Sequence, residues 1–123
     1  MKEKDLLKWA TDVLTRTGWE WWHVPAPMRA SRSGSWVGAR EAAGLPDIFA
    51  IHKDPYRLLI IETKGTGGRL TEKQRHFLEL ARALAAEVTE ADSYGHETWI
   101  GVVVLLPGME DVFEKMCKSK VLL

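Results

Sequence analysis

The stretch Leu58-Leu59-Ile60-Ile61-Glu62-Thr63-Lys64 ends an oily run with an acid and a base one residue apart. Side chains on a strand alternate between faces, so Glu62 and Lys64 share one face with Ile60, while Ile61 and Thr63 share the other. Buried charge is costly unless paired or bound to a metal, so the two residues form either an ion pair at a strand edge or a site. If Asp54-Pro55 centres a hairpin loop, Asp47 and Glu62 are equally far from that turn and face each other, with Cβ atoms about 4.5–5.5 Å apart. Opposed acids repel, and a cation between them removes the conflict. Carboxylates without a nearby thiol or imidazole are hard oxygen ligands, which favour Mg²⁺ or Mn²⁺. On this reading, removing either acid relieves a repulsion and leaves the metal-free chain as stable as before, or more so. Taken singly, each residue also has a plainer reading. Asp47 could open a strand after the Gly-x-Pro turn, and Glu62 with Lys64 could be a surface pair worth less than about 1 kcal/mol. It is the conjunction of acid, hairpin and Glu-x-Lys that favours a site.

The elements that must carry these residues are legible from periodicity. Apolar residues at 6, 7, 10, 13 and 14 have helical spacing and precede Gly18, so a helix is expected over 2–17. The aromatic run WEWWHV reads as a strand over 19–24. Two more strands, 46–52 and 57–63, flank the turn HKDPYR. Thr71 followed by Gln74 forms a capping box, and the apolar spacing from 77 to 88 extends a long helix from it. TWIGVVVLL, 98–106, is apolar enough for a central strand covered on both faces, and 109–118 closes the chain as a short amphipathic helix. The segment 25–44 has no periodicity; it holds Arg29, Arg32, Arg40 and Trp36 and no acid before Glu41. Structureless stretches of that length inside a domain are usually functional.

Composition limits the possibilities. The 123 residues, 46% of them hydrophobic, suit one domain over 1–123 with a single core. Lysine plus arginine and aspartate plus glutamate both number 17, so a nucleic-acid partner must be held by a local patch. One cysteine, Cys117, excludes an internal disulfide and a cysteine-based zinc site, and suits a reducing compartment. No apolar run approaches the roughly 18 residues that span a bilayer, so a cytoplasmic protein without a membrane partner is expected.

GLPDIFAIHKDPYRLLIIETKG resembles the core motif of the PD-(D/E)XK nuclease superfamily, with Pro46-Asp47 as its first half and Glu62-Thr63-Lys64 as its second. The continuation GGRLTEKQRHFLELARAL resembles the VRR-NUC branch, in which a Gln-bearing helix follows the lysine. The resemblance spans about residues 3 to 106 and implies a restriction-endonuclease-like α/β core of αβββαβ order, its mixed central sheet flanked by helices. It implies that Asp47 and Glu62 hold a divalent metal, that the carbonyl of Thr63 adds a ligand, and that Lys64 positions water and steadies the phosphate. It also implies an acid from the first helix at the metal. Glu3 is in phase with the inward stripe, whereas Asp5 and Asp12 fall on the side of Trp9 and Arg16. A solvated first-turn acid is the alternative for Glu3. Gln74 either completes the cap or turns toward the metal-bound water or a phosphate, two roles that one side chain would not easily combine.

Arg29, Arg32 and Arg40 with Trp36, extended by Lys73 and Arg75, suit phosphate contact and stacking on DNA. The function so implied is a Mg²⁺- or Mn²⁺-dependent DNA nuclease that selects DNA structure, such as a junction, flap or nick, because so small a core has little surface for reading sequence. An archaeal-type Holliday junction resolvase and a catalytically silent DNA-binding module on the same fold are the alternatives. The exposed edge and the tryptophan-rich segments allow a homodimer.

Overall fold

The computed structural model describes residues 1–25, 44–91 and 98–120, and of 89–91 the backbone only. Helix α1 (Glu3–Arg16) buries Leu6, Ala10, Val13 and Leu14, the stripe expected from spacing, and Gly18 (φ 88°) turns the chain out of it. Strands β1 (Glu20–His23), β2 (Ile48–His52) and β3 (Arg57–Thr63) follow, then α2 (Glu72–Ala91), β4 (Trp99–Leu105) and α3 (Glu110–Lys118). The sheet order is β1-β2-β3-β4. The first two junctions are antiparallel and β3–β4 is parallel, with α2 as the crossover. This is an α/β fold with a mixed four-stranded sheet, consistent with a restriction-endonuclease-like core.

The hairpin register is the one the Asp54-Pro55 turn requires. Ile48 pairs with Ile61, Ala50 with Leu59 and His52 with Arg57. Asp54 takes φ 63° at the turn. One face of the sheet packs against α1 and α3 through Leu6, Val13, Leu14, Ile48, Leu59, Ile61, Trp99, Leu105 and Phe113. Cys117 belongs to this core, and burial pushes its thiol up to about 12.

One expectation is corrected. The apolarity of 98–106 predicts a central strand, but β4 lies at the sheet edge and the nearly wholly buried strand is β3. The apolarity of β4 serves two faces all the same. Trp99, Gly101, Val103 and Leu105 are buried, and the alternate residues are half-buried. The loop residues Arg29, Arg32, Trp36 and Arg40 lie outside the described residues.

Candidate metal and catalytic site

The site forms where β2 begins and β3 ends. Extending the pairing by one step beyond Ile48–Ile61 sets Asp47 opposite Glu62. Beyond the end of β2, the N–H of Thr63 has no strand partner. Asp47 Oδ2 takes it at 2.7 Å and also accepts from Thr63 Oγ1 at 2.7 Å. On the other side of β3, the N–H of Lys64 bonds Leu105 O of the parallel neighbour (3.0 Å), so the Glu-x-Lys segment is fixed from both flanks.

These hydrogen bonds revise the effect expected on removing Asp47. Thr63 is fully buried, and without the Asp47 carboxylate its N–H and hydroxyl are left unsatisfied, at about 1–3 kcal/mol each. Relief of repulsion is therefore expected only from changes at Glu62.

Glu3 arrives by a different route. Thr66 N–H donates to Met1 O (3.1 Å), laying the first residues across the loop after β3. A Cβ on Gly65 would lie 2.6 Å from Glu3 N, so this approach requires glycine at 65. Sequence reasoning does not single out Gly65, although its position directly after Lys64 is the available signal. Carboxylate oxygens of Glu3, Asp47 and Glu62 all come within 4.8 Å of one another. Asp5 and Asp12 are not in this group.

Glu62 is the buried member, 1% exposed. Its Oε1 lies 3.5 Å from Lys64 Nζ and accepts from Gln74 Nε2 at 3.3 Å. Its Oε2 is buried and has no partner. Burial first, and then the Asp47 carboxylate, push Glu62 up to about 7, while Lys64 pulls it the other way.

Gln74 completes the cap and also reaches the acidic cluster, through Glu62. Its N–H donates to Thr71 Oγ1 (3.1 Å) and its Oε1 accepts from Thr71 N–H (2.9 Å), completing the capping box of α2. Fixing Oε1 there turns Nε2 toward Glu62, because the acceptor and donor ends of one amide can serve separate partners. The two roles are separable by mutation. Thr71→Ala is expected to cost about 0.5–2 kcal/mol of stability in thermal melts and to spare cleavage. Gln74→Leu loses the reciprocal bond and the donor to Glu62, and a cleavage rate about 10- to 100-fold lower is expected.

Lys73 and Arg75 flank Gln74 and are exposed. Val24 N–H donates to Asp47 O (2.7 Å), so the end of β1 is held beside Asp47.

The profile of the VRR-NUC domain matches residues 9–94, more than two-thirds of the chain. The chain belongs to the VRR-NUC family. This is a nuclease domain of the PD-(D/E)XK-like superfamily. Comparison with curated proteins and with solved structures gave no match. Asp47, Glu62, Lys64 and Gln74 all lie within the span that matches the VRR-NUC domain. Glu3 precedes it and joins the cluster through the fold alone. No helix among the described residues is long and apolar enough to cross a membrane.

Proposed function

We propose that this VRR-NUC domain is a Mg²⁺- or Mn²⁺-dependent deoxyribonuclease, selective for DNA structure, with Glu3, Asp47, Glu62 and the carbonyl of Thr63 as metal ligands. The observation that carries the reading is Glu62 Oε2, a buried carboxylate oxygen without a partner in a cluster of three acids. An orphaned anionic oxygen costs several kcal/mol unless a cation completes it. An all-oxygen donor set with one exposed, one intermediate and one buried acid fits a hard divalent ion that keeps some water. When bound, the ion supplies Lewis acidity, acidifying water and offsetting charge on the phosphate.

The chain's own residues do the rest. Asp47, held by Thr63, and Glu62, held by Gln74, keep their carboxylates in fixed positions, so little reorganisation accompanies substrate binding. Lys64, its side chain 12% exposed, holds an ammonium at the mouth of the buried acid, where it orients water and meets phosphate charge. With the metal as the activator of water, Lys64 acts as a positioner rather than as the base. A silent module would be free to lose these groups, yet all are present and convergent. Incubation with labelled linear, nicked, flapped and four-way DNA, with and without Mn²⁺, tests the proposal. Metal-dependent cleavage that prefers a branched or nicked substrate is expected, and no cleavage of any substrate with Mn²⁺ would refute it. Paired symmetric cuts on the four-way substrate would make the protein a resolvase.

A further inference from the structure

At the opposite end of the sheet, α1 and α3 finish beside each other around a cleft of about 590 Å³. Among the described residues, Arg16, Lys53, Arg57, Lys118 and Lys120 line it against one carboxylate, Asp54. β3 runs from Arg57 in this cleft to Thr63 beside the acidic cluster, which sets the two about 20 Å apart at roughly 3.3 Å per residue.

Part of this charge has a structural explanation. Arg16 and Lys118 sit in the last turns of their helices, where cations offset the macrodipole, and both pair with Glu114 (3.2 and 3.8 Å). The buried Arg57 guanidinium donates to Ser119 O (2.6 Å), its Nε donates to Pro55 O (3.1 Å), and it lies 5.2 Å over the Trp19 ring. Arg57 is committed to its own partners, and setting Asp54, Glu114 and roughly half a negative charge for each helix end against Arg16, Lys53, Lys118 and Lys120 leaves an excess of about one positive charge among the described residues. In a chain of zero net charge that excess is local. The walls are also held in place. His52 places its ring nitrogens on Lys53 O (2.6 Å) and Thr17 O (3.1 Å), tying the hairpin turn to the end of α1. A fixed concave surface with three exposed lysines and an excess of about one positive charge matches a phosphate group better than a solvated face does.

We propose that this cleft is a second, metal-independent phosphate-binding site and that a nucleic-acid backbone supplies the phosphate. Each base pair rises about 3.4 Å along the axis of a duplex, so a duplex whose backbone is held at the acidic cluster spans the distance to the cleft in roughly six base pairs. Lys53, Lys118 and Lys120 are exposed and reach the phosphates, while Arg57 forms the floor.

The test is done in EDTA, so it does not depend on cleavage. The full chain and its K53A/K118A/K120A variant are titrated with a duplex several turns long and, separately, with pyrophosphate. The backbone amide signals of Gly18, Lys53 and Ser119 are followed by NMR, and duplex affinity is measured against salt. Duplex-induced shifts of these amides are expected in the wild type and not in the variant, whose log–log salt slope flattens by about 0.9 for each phosphate no longer neutralised. K53R/K118R/K120R should keep the wild-type slope. Shifts with pyrophosphate and none with duplex would overturn the nucleic-acid source and assign the cleft to small phosphates. No shifts with either ligand, or an unchanged slope in the alanine variant, would overturn the site. Failure of the nuclease reading would appear instead as absent Mn²⁺-dependent cleavage, which this titration does not measure.

Discussion

Lys64→Met is expected to lower single-turnover cleavage at saturating Mn²⁺ by roughly 10²- to 10⁴-fold, the range of a positioned acid–base group, while DNA binding persists. Lys64 does pair with Glu62, at 3.5 Å, so an ion pair exists whatever the lysine does in catalysis. What separates the two roles is the readout. A lysine that only neutralised Glu62 would, on removal, leave an acid held further from ionisation and a weaker metal site, and saturating Mn²⁺ would restore the rate. A lysine that orients water and steadies the phosphate leaves a defect that metal does not repair. Lys64→Arg should rescue poorly, because a planar guanidinium does not place a single donor where the compact ammonium stood. Near wild-type cleavage by Lys64→Met would reduce Glu62 and Lys64 to a structural pair and remove the main chemical support for the proposed reaction.

The hairpin is legible in the sequence because a turn signal and an apolar pattern each fix register, and both agree. A slip of one residue would turn Ile48, Ala50, Leu59 and Ile61 away from the core. The helical phase of α1 likewise singles out Glu3 over Asp5 and Asp12, since one period sets both the buried stripe and the acid aligned with it. What stays hidden depends on particular atoms rather than on pattern. Periodicity does not reveal that Asp47 commits Oδ2 to the unpaired Thr63 N–H, or that an amide with two ends lets Gln74 cap α2 and touch Glu62. The close approach of Glu3 to Gly65 joins segments more than 60 residues apart, and only the fold brings them together. The edge position of β4 escapes the sequence for a related reason. Continuous apolarity reports two covered faces, and a strand under a crossover helix has them even at the margin of a sheet.

Glu62→Gln is expected to abolish cleavage and, without metal, to make the protein more stable near neutral pH. The folded Glu62 carboxyl is pushed up to about 7 from 4.5, so its ionisation opposes folding. That penalty is absent below the unfolded value, grows as pH rises from about 4.5 to about 7, and is complete above it, reaching roughly 3 kcal/mol at about 1.4 kcal/mol per unit. The attraction of Lys64 already belongs to this balance, because it lowers the same carboxyl and is outweighed by burial and Asp47. In EDTA the neutral amide introduced by Glu62→Gln escapes the penalty, so the variant should melt above wild type at about pH 8 and together with it at about pH 4. Mn²⁺ should reverse the order at the higher pH. At a thousandfold excess over its dissociation constant wild type gains about 4.1 kcal/mol, more than the penalty, whereas the variant lacks an anionic ligand and gains little. Melts at the two pH values, each with EDTA and with Mn²⁺, check all of this. If wild type and Glu62→Gln melt together at about pH 8 in EDTA, the unpartnered Oε2 carries no penalty. The cluster of Glu3, Asp47 and Glu62 would then give no thermodynamic reason to expect a cation.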